Sequence, residues 1–120
     1  MSEICKERRV NLPDLYTDEA FGIEEKATLA AGETFTFTGK HITLTLDPTT
    51  GSRVKIESPD SGITVSVDGL TLTIFKSATW TKDNLTVGNW EYTIWIGDNT
   101  NRDVHARGEF NVVQARGGEL

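Results

Sequence analysis

From Gly32 onward, apolar and polar residues alternate with a period of two between short clusters of Gly, Pro, Asp and Asn, the pattern of half-buried β-strands joined by turns. Seven strands are predicted. Residues 33–38 put Phe35 and Phe37 on one face, 41–47 put Ile42, Leu44 and Leu46 on one face, and Val54 with Ile56 marks a third strand after the turn Pro48-Thr49-Thr50-Gly51. Ser58-Pro59-Asp60-Ser61-Gly62 turns the chain again. Ile63, Val65 and Val67 then alternate up to Asp68-Gly69, which predicts a tight primed hairpin, and Leu70, Leu72 and Ile74 mark the return strand. Trp90, Tyr92, Ile94 and Ile96 share one face of 90–97, and Val104, Ala106, Gly108, Phe110 and Val112 share one face of 103–114, with the polar run 98–102 as the hairpin tip between them. Residues 77–88 break the alternation. They read as a connection with one helical turn across an end of the fold, plugged by Trp80 and Leu85.

Residues 1–31 behave differently. They hold seven acids and four bases, and Leu12, Leu15, Tyr16, Phe21, Ile23 and Leu29 follow neither period for long. They are read as an extended N-terminal arm, with a frayed terminus as the alternative. Thr17 followed by Asp18, Glu19 and Ala20 resembles an N-cap with an acidic first turn, so a short helix within 17–31 is one expectation, which Gly22 weakens. The predicted organisation is therefore an arm (1–31), a β domain (32–114) and a loose tail (115–120). The fold class is all-β, and seven short strands at this spacing fit a sandwich or a barrel.

Length and charge narrow the function. The 120 residues suit one domain and one core. Twelve Lys and Arg against 18 Asp and Glu give a net charge of −6, the wrong sign for holding phosphate backbones, so nucleic acid is not an expected partner. No run approaches the roughly 18 apolar residues of a membrane span, and the N-terminus has no signal-peptide core. Synthesis in a cytoplasm and release by lysis or within an assembly are the expectation. Cys5 is the lone cysteine, so a disulfide within the chain is excluded.

Candidate chemistry is sparse. His41 and His105 sit beside inward positions and are expected at the surface, and neither a Gly-x-Ser-x-Gly elbow nor a His-Glu-x-x-His pair occurs. Asp98, Thr100 and Asp103 make an oxygen-rich loop, yet it lacks the central glycine and closing glutamate of a calcium loop and is better read as a turn. Asn84-Leu85-Thr86 is read as a chance glycosylation match, and Arg107-Gly108-Glu109 as a strand with a close-approach or bulge glycine. No catalytic residue, cofactor or metal site is expected. Trp95 is more informative, because alternation points it away from Trp90 and Tyr92. It is a candidate contact for a partner protein or a platform for a sugar, unless the arm covers it. With Leu12, Leu15, Tyr16 and Phe21 of the arm it makes up the set of interface candidates.

Five segments carry a family resemblance: Gly32-Glu33-Thr34-Phe35, Gly62-Ile63-Thr64-Val65, Leu70-Thr71-Leu72-Thr73-Ile74, Gly88-Asn89-Trp90-Glu91-Tyr92 and Arg107-Gly108-Glu109-Phe110-Asn111-Val112. In this order they resemble the small immunoglobulin-like β-sandwich virion proteins of tailed bacteriophages, and most nearly the N-terminal domain of baseplate upper proteins. The resemblance spans residues 32–113. It implies an antiparallel immunoglobulin-like sandwich and a non-enzymatic structural role within a virion assembled in the bacterial host. The implied partners are other phage structural proteins of the capsid, connector or tail, and further copies of the chain in a homo-oligomer. The chain departs from the pattern by carrying about thirty residues before the opening turn and by stopping after the last strand. Those departures imply an accessory protein with a docking arm, used in capsid decoration, head–tail joining or the tail and baseplate. The alternative is a carbohydrate-binding or adhesin-type β-sandwich module.

Overall fold

The computed structural model describes residues 8–27, 29, 31–32, 34–97 and 102–114. Among these the chain forms β1 (Arg8–Arg9), β2 (Leu15–Tyr16), β3 (Phe21–Lys26), β4 (His41–Pro48), β5 (Val54–Glu57), β6 (Ile63–Val65), β7 (Thr71–Lys76), α1 (Ala78–Asn84), β8 (Gly88–Gly97) and β9 (Arg102–Val113). The protein is all-β with one short helix. Cys5, the hairpin tip 98–101 and the tail 115–120 lie outside the described residues.

The strands make two sheets. One has six strands in the order β1-β9-β8-β4-β5, with β2 also on β9; the other has three, in the order β3-β7-β6. Pairing is antiparallel except where β1 and β2 run parallel to β9. Alternation decides which side of each strand is apolar. Ile42, Leu44, Leu46, Ile56, Trp90, Tyr92, Ile94, Ile96, Ala106, Phe110 and Val112 of the larger sheet join Phe21, Ile23, Leu72 and Ile74 of the smaller in one buried cluster. The sheets meet directly, for Phe21 of β3 and Phe110 of β9 have ring centroids 5.8 Å apart. Helix α1 starts where the Ser77 side chain accepts the Trp80 N–H, an ordinary N-cap. It sets Trp80 5.9 Å from Phe21 and is followed by Leu85, which is buried. These two residues occupy the places their sequence predicts.

The expected arm is corrected by the structure. Residues 21–26 are a full strand in register with β7, from Phe21↔Lys76 to Lys26↔Thr71, and Phe21 and Ile23 are core residues. No helix forms there. Residues 8–17 are likewise bound to the larger sheet: Val10 and Leu12 donate backbone hydrogen bonds to the Arg107 and Glu109 carbonyls, and Thr17 donates to the Val113 carbonyl. This ribbon, interrupted at Pro13, seals the edge of β9. A close approach makes room for it, since a Cβ on Gly108 would lie 1.9 Å from the Val10 carbonyl oxygen. The buried Tyr92 hydroxyl donates to that same oxygen. The boundary between residues 31 and 32 is therefore not a structural one for the described residues.

Three further expectations change. Residues 34–38 form no strand: Phe37 N–H donates 2.7 Å to the Gly69 carbonyl, and the Thr36 hydroxyl donates to the same oxygen, so this backbone bonds to a loop instead of a ladder. Phe37 is still buried, edge-on to Phe35. The hairpin after β6 turns at Val67-Asp68, closed by Gly69 N–H to the Ser66 carbonyl, with Gly69 at φ +77°. Glycine takes that conformation at little cost, and Val67 is left at the exposed tip. Finally, β9 bulges opposite the step from Ile94 to Trp95: Ala106 pairs with Ile94, Val104 pairs with Trp95, and His105 is the extra residue. The bulge turns His105 inward, to 3% exposure, and removes Val104 from the inner face. The expected surface position of His105 is thereby overturned.

A fragment beginning at residue 32 lacks β3, two core side chains and the ribbon on β9. It is expected to lose the cooperative thermal melt of the full chain, followed by circular dichroism at a β-sheet wavelength. A cooperative melt of the fragment would show that the N-terminal strands are dispensable.

Candidate functional site

Both histidines meet a carboxylate. His105 Nε2 lies 3.5 Å from Glu25 Oε1, and both side chains are at most 5% exposed, between the two sheets. Phe37 packs edge-on against the imidazole with centroids 5.4 Å apart. The pair crosses an apolar core as a polar pin at ion-pair distance, with neither imidazole nitrogen making a hydrogen bond among the described residues. His41 Nε2 lies 2.9 Å from Glu57 Oε2 on the outer face of the larger sheet, half-buried, with Lys55 Nζ 3.4 Å from the other carboxylate oxygen. Hydrogen bonding to His41 is the main cause that holds the Glu57 carboxyl below its ordinary value. None of the His, Cys, Asp and Glu clusters among the described residues could hold a metal ion, and none of their helices is long and apolar enough to cross a membrane.

A second polar cluster ties the turn before β6 to β7. Lys76 Nζ lies 2.8 and 2.9 Å from the two Asp60 oxygens, Gly62 N–H donates 2.7 Å to Asp60 Oδ1, and the ammonium is 6.0 Å from the Trp80 ring centre. Lys76 and then Gly62 hold the Asp60 carboxyl below its ordinary value. At the β6–β7 turn the Ser66 hydroxyl and the Leu70 N–H do the same for Asp68. These contacts fasten loops.

Two surfaces remain. The first is the outer face of β9, β8, β4 and β5. Register puts Val104, Trp95, Thr43 and Glu57 in one cross-strand row and Arg107, Thr93, Thr45 and Lys55 in the next. Trp95 is half-buried, and its Nε1 donates 3.4 Å to Thr45 Oγ1 in the neighbouring row. That bond brings the indole down across β4, and Thr43 and Thr45 are only 1% and 4% exposed although they face away from the core.

The second surface is at the opposite end of the same sheet. Tyr16 pairs with Val113, and Gly88, which follows Val87, pairs with Val112. Tyr16 and Val87 are 38% and 56% exposed. Val87 lines an open cleft of about 550 Å³ together with Thr17, Asp18, Lys82, Leu85, Thr86 and Gln114. Exposed apolar groups gathered at one end of a sheet, beside a cleft, are the kind of patch that marks contact sites.

The five interface candidates thus separate. Tyr16 is exposed and belongs to the end patch, and Trp95 lies on the outer face. Leu12 and Leu15 are half-buried and packed against the core, where with Pro13, Phe21 and Phe110 they line a smaller cleft. Phe21 is 2% exposed and is corrected from interface to core. Sequence reading missed Val87, which stands in the irregular stretch before β8, and Glu25, whose spacing of two from Ile23 marks an inward position. No protein-family model matches the chain, and no curated protein is significantly similar to it.

Two outcomes are expected. Removing one member of the buried pair, as in Glu25→Ala, should cost about 3 kcal/mol or more in urea denaturation, while the apolar double variant Glu25→Leu/His105→Phe should recover most of that loss. Destabilisation of the double variant by the sum of its single changes would exclude the pin. Asp60, Glu57 and Asp68 all have folded-state values below their unfolded ones, so the stability they add is complete above the ordinary values of 3.8 and 4.5 and is lost as pH falls through the lower folded values. Urea midpoints should therefore drop toward about pH 3, and less steeply in Lys76→Met, which removes the main cause of the Asp60 shift.

Proposed function

We propose that the chain is a non-enzymatic immunoglobulin-like sandwich module of a tailed-phage virion, which docks on neighbouring structural proteins and on copies of itself. Connectivity supports the sandwich reading. Residues 8–17 run parallel to the last strand, β3 pairs in the opposite sheet, the chain crosses to β4 and β5, returns to β6 and β7, and crosses again to β8 and β9. This alternation between two mainly antiparallel sheets supports a Greek-key order of the immunoglobulin-like kind. The segments that resemble baseplate upper proteins fall largely on its scaffold, in β6, β7, β8 and β9. They carry the fold, so a virion role rests on the resemblance together with a surface suited to docking.

The observation that carries docking is the apolar end patch of Tyr16, Val113 and Val87 beside its cleft. The N-terminal ribbon contributes Tyr16, so the expected docking segment takes part in the surface while its own backbone is bound to β9. Decoration, joining and baseplate roles all use such a contact.

Particles banded from an induced lysate of the strain that encodes the chain should contain it by mass spectrometry. Val87→Asp combined with Tyr16→Asp should leave the melt of the free protein nearly unchanged and remove it from the particles, because a charge is then buried without a partner. Absence of the unaltered chain from particles would overturn the virion reading. Normal incorporation of the double variant would overturn the docking surface.

A further inference from the structure

β3 stands at a margin of the smaller sheet, paired with β7 on one side and open on the other. The Ala27 N–H donates to the Leu70 carbonyl on the β7 side, and strand parity turns the backbone groups of Glu25, Ile23 and Phe21 the same way, so those of Gly22, Glu24 and Lys26 point outward. They have no hydrogen-bond partner among the described residues. All three residues are exposed, and because Gly22 has no side chain its exposure is that of its backbone. The larger sheet reaches one strand further on this side: β3 lies over β9, with Phe21 5.8 Å from Phe110 and Glu25 3.5 Å from His105, and the ribbon of residues 8–17 is the next strand out from β9. The result is a step. A cleft of about 210 Å³ lies in it, lined in part by Leu12 and Leu15 of the ribbon, Phe21 and Gly22 of β3, and Phe110. We propose that the free edge of β3 is a docking site for one extended segment of a partner protein, added antiparallel to the smaller sheet.

Three features select that occupant. First, main-chain hydrogen bonds to an unpaired edge give affinity for an extended chain, and pockets under alternate side chains give the selectivity. β3 offers both, and with six residues it is longer than β5 and β6, the four- and three-residue strands at other sheet margins. Second, the step is one strand wide, since neighbouring strands lie about 4.8 Å apart. Two copies meeting β3 to β3 would drive the ribbon of each into the β9 of the other, so a lone segment fits where a second whole domain does not. Third, the exposed charges set its sequence. Glu24 and Lys26 are 3.9 Å apart on the outer side of the edge, with side chains 59% and 70% exposed, and opposite charges placed directly across a strand pair are favourable while like charges are not. An antiparallel segment therefore sets a basic residue against Glu24 and an acidic one against Lys26. Its intervening side chains turn inward, where those opposite Phe21 and Ile23 are apolar and the first of them enters the cleft. The site is separate from the docking patch at the Val87 end, and its test is independent of the virion assay.

The test uses the full chain, labelled with 15N, and the capped peptide Glu-Thr-Lys-Val-Thr-Val, which meets these requirements when laid antiparallel on β3. In the free protein the amides of Gly22, Glu24 and Lys26 should exchange with solvent quickly, while those of Phe21, Ile23 and Glu25 are protected. Adding the peptide should protect the first set and shift its resonances, with a Kd of about 1 mM or tighter. The charge-swapped peptide Lys-Thr-Glu-Val-Thr-Val should bind about threefold more weakly or worse, and serine in place of both valines should abolish binding. The variant Glu24→Lys/Lys26→Glu, changed only at exposed positions, should reverse the preference between the two charged peptides. Protection of the Gly22, Glu24 and Lys26 amides in the free protein would overturn the proposal, because the edge would already be covered. Failure of the first peptide to bind, shifts centred on the edge of β5 or β6, or a preference that the double variant leaves unreversed would overturn it as well.

Discussion

Phe21, Ile23 and Glu25 of β3 press across the core toward β9, and this seam fixes how the two sheets face each other. Phe21 meets Phe110 and Trp80, and two residues up the strand from Ile23, Glu25 meets His105. A core of aliphatic residues alone tolerates sliding between sheets, because dispersion and apolar burial have little directionality. A buried imidazole and carboxylate do not, since moving either one leaves a polar group in a dry interior. The bulge in β9 is the local device that makes the seam: without the extra residue, His105 would point to solvent and Glu25 would face an apolar wall.

The same bulge organises the outer face. It moves Val104 across from Trp95, so the indole has an apolar neighbour on β9 and threonines on β4, and the row continues to Glu57. Inner and outer chemistry are thus set together by one inserted residue. The N-terminal ribbon works on another edge. β9 would present a long row of unpaired backbone groups, a template for uncontrolled pairing, and residues 8–17 cover it with parallel hydrogen bonds, a glycine-wide channel at Gly108 and the Tyr92 hydroxyl.

Alternation made most of the larger sheet readable, because β4, β5, β8 and β9 each bury one face and the period survives in Ile42, Leu44 and Leu46 or in Trp90, Tyr92, Ile94 and Ile96. The outward position of Trp95 follows from the same count. β3 was hidden by its own function: Glu25 occupies an inward position, so a strand with the pattern Phe-Gly-Ile-Glu-Glu-Lys reads as a polar arm. Phe35 and Phe37 misled in the opposite sense, for two alternating aromatics look like a strand even where the backbone bonds to a loop carbonyl. His105 was out of reach because a bulge is a property of the pairing of two strands, and counting along one strand assumes an unbroken parity. The exposed end near Gly88 was only half visible, since Tyr16 and Gly88 reach the same end of β9 through register rather than through any local motif.

Register also decides how the two surfaces relate. Gly88 starts β8 beside the Tyr16, Val113 and Val87 patch, and Trp95 stands seven residues further along, roughly 23 Å at the rise of an extended strand. The strand between them is central in the larger sheet, held by β4 on one side and β9 on the other, so the two surfaces keep a fixed separation and direction. A domain gripped at the Val113 end therefore carries the Trp95 face away from the contact that holds it. That geometry holds the two surfaces rigidly apart, with no moving part between them.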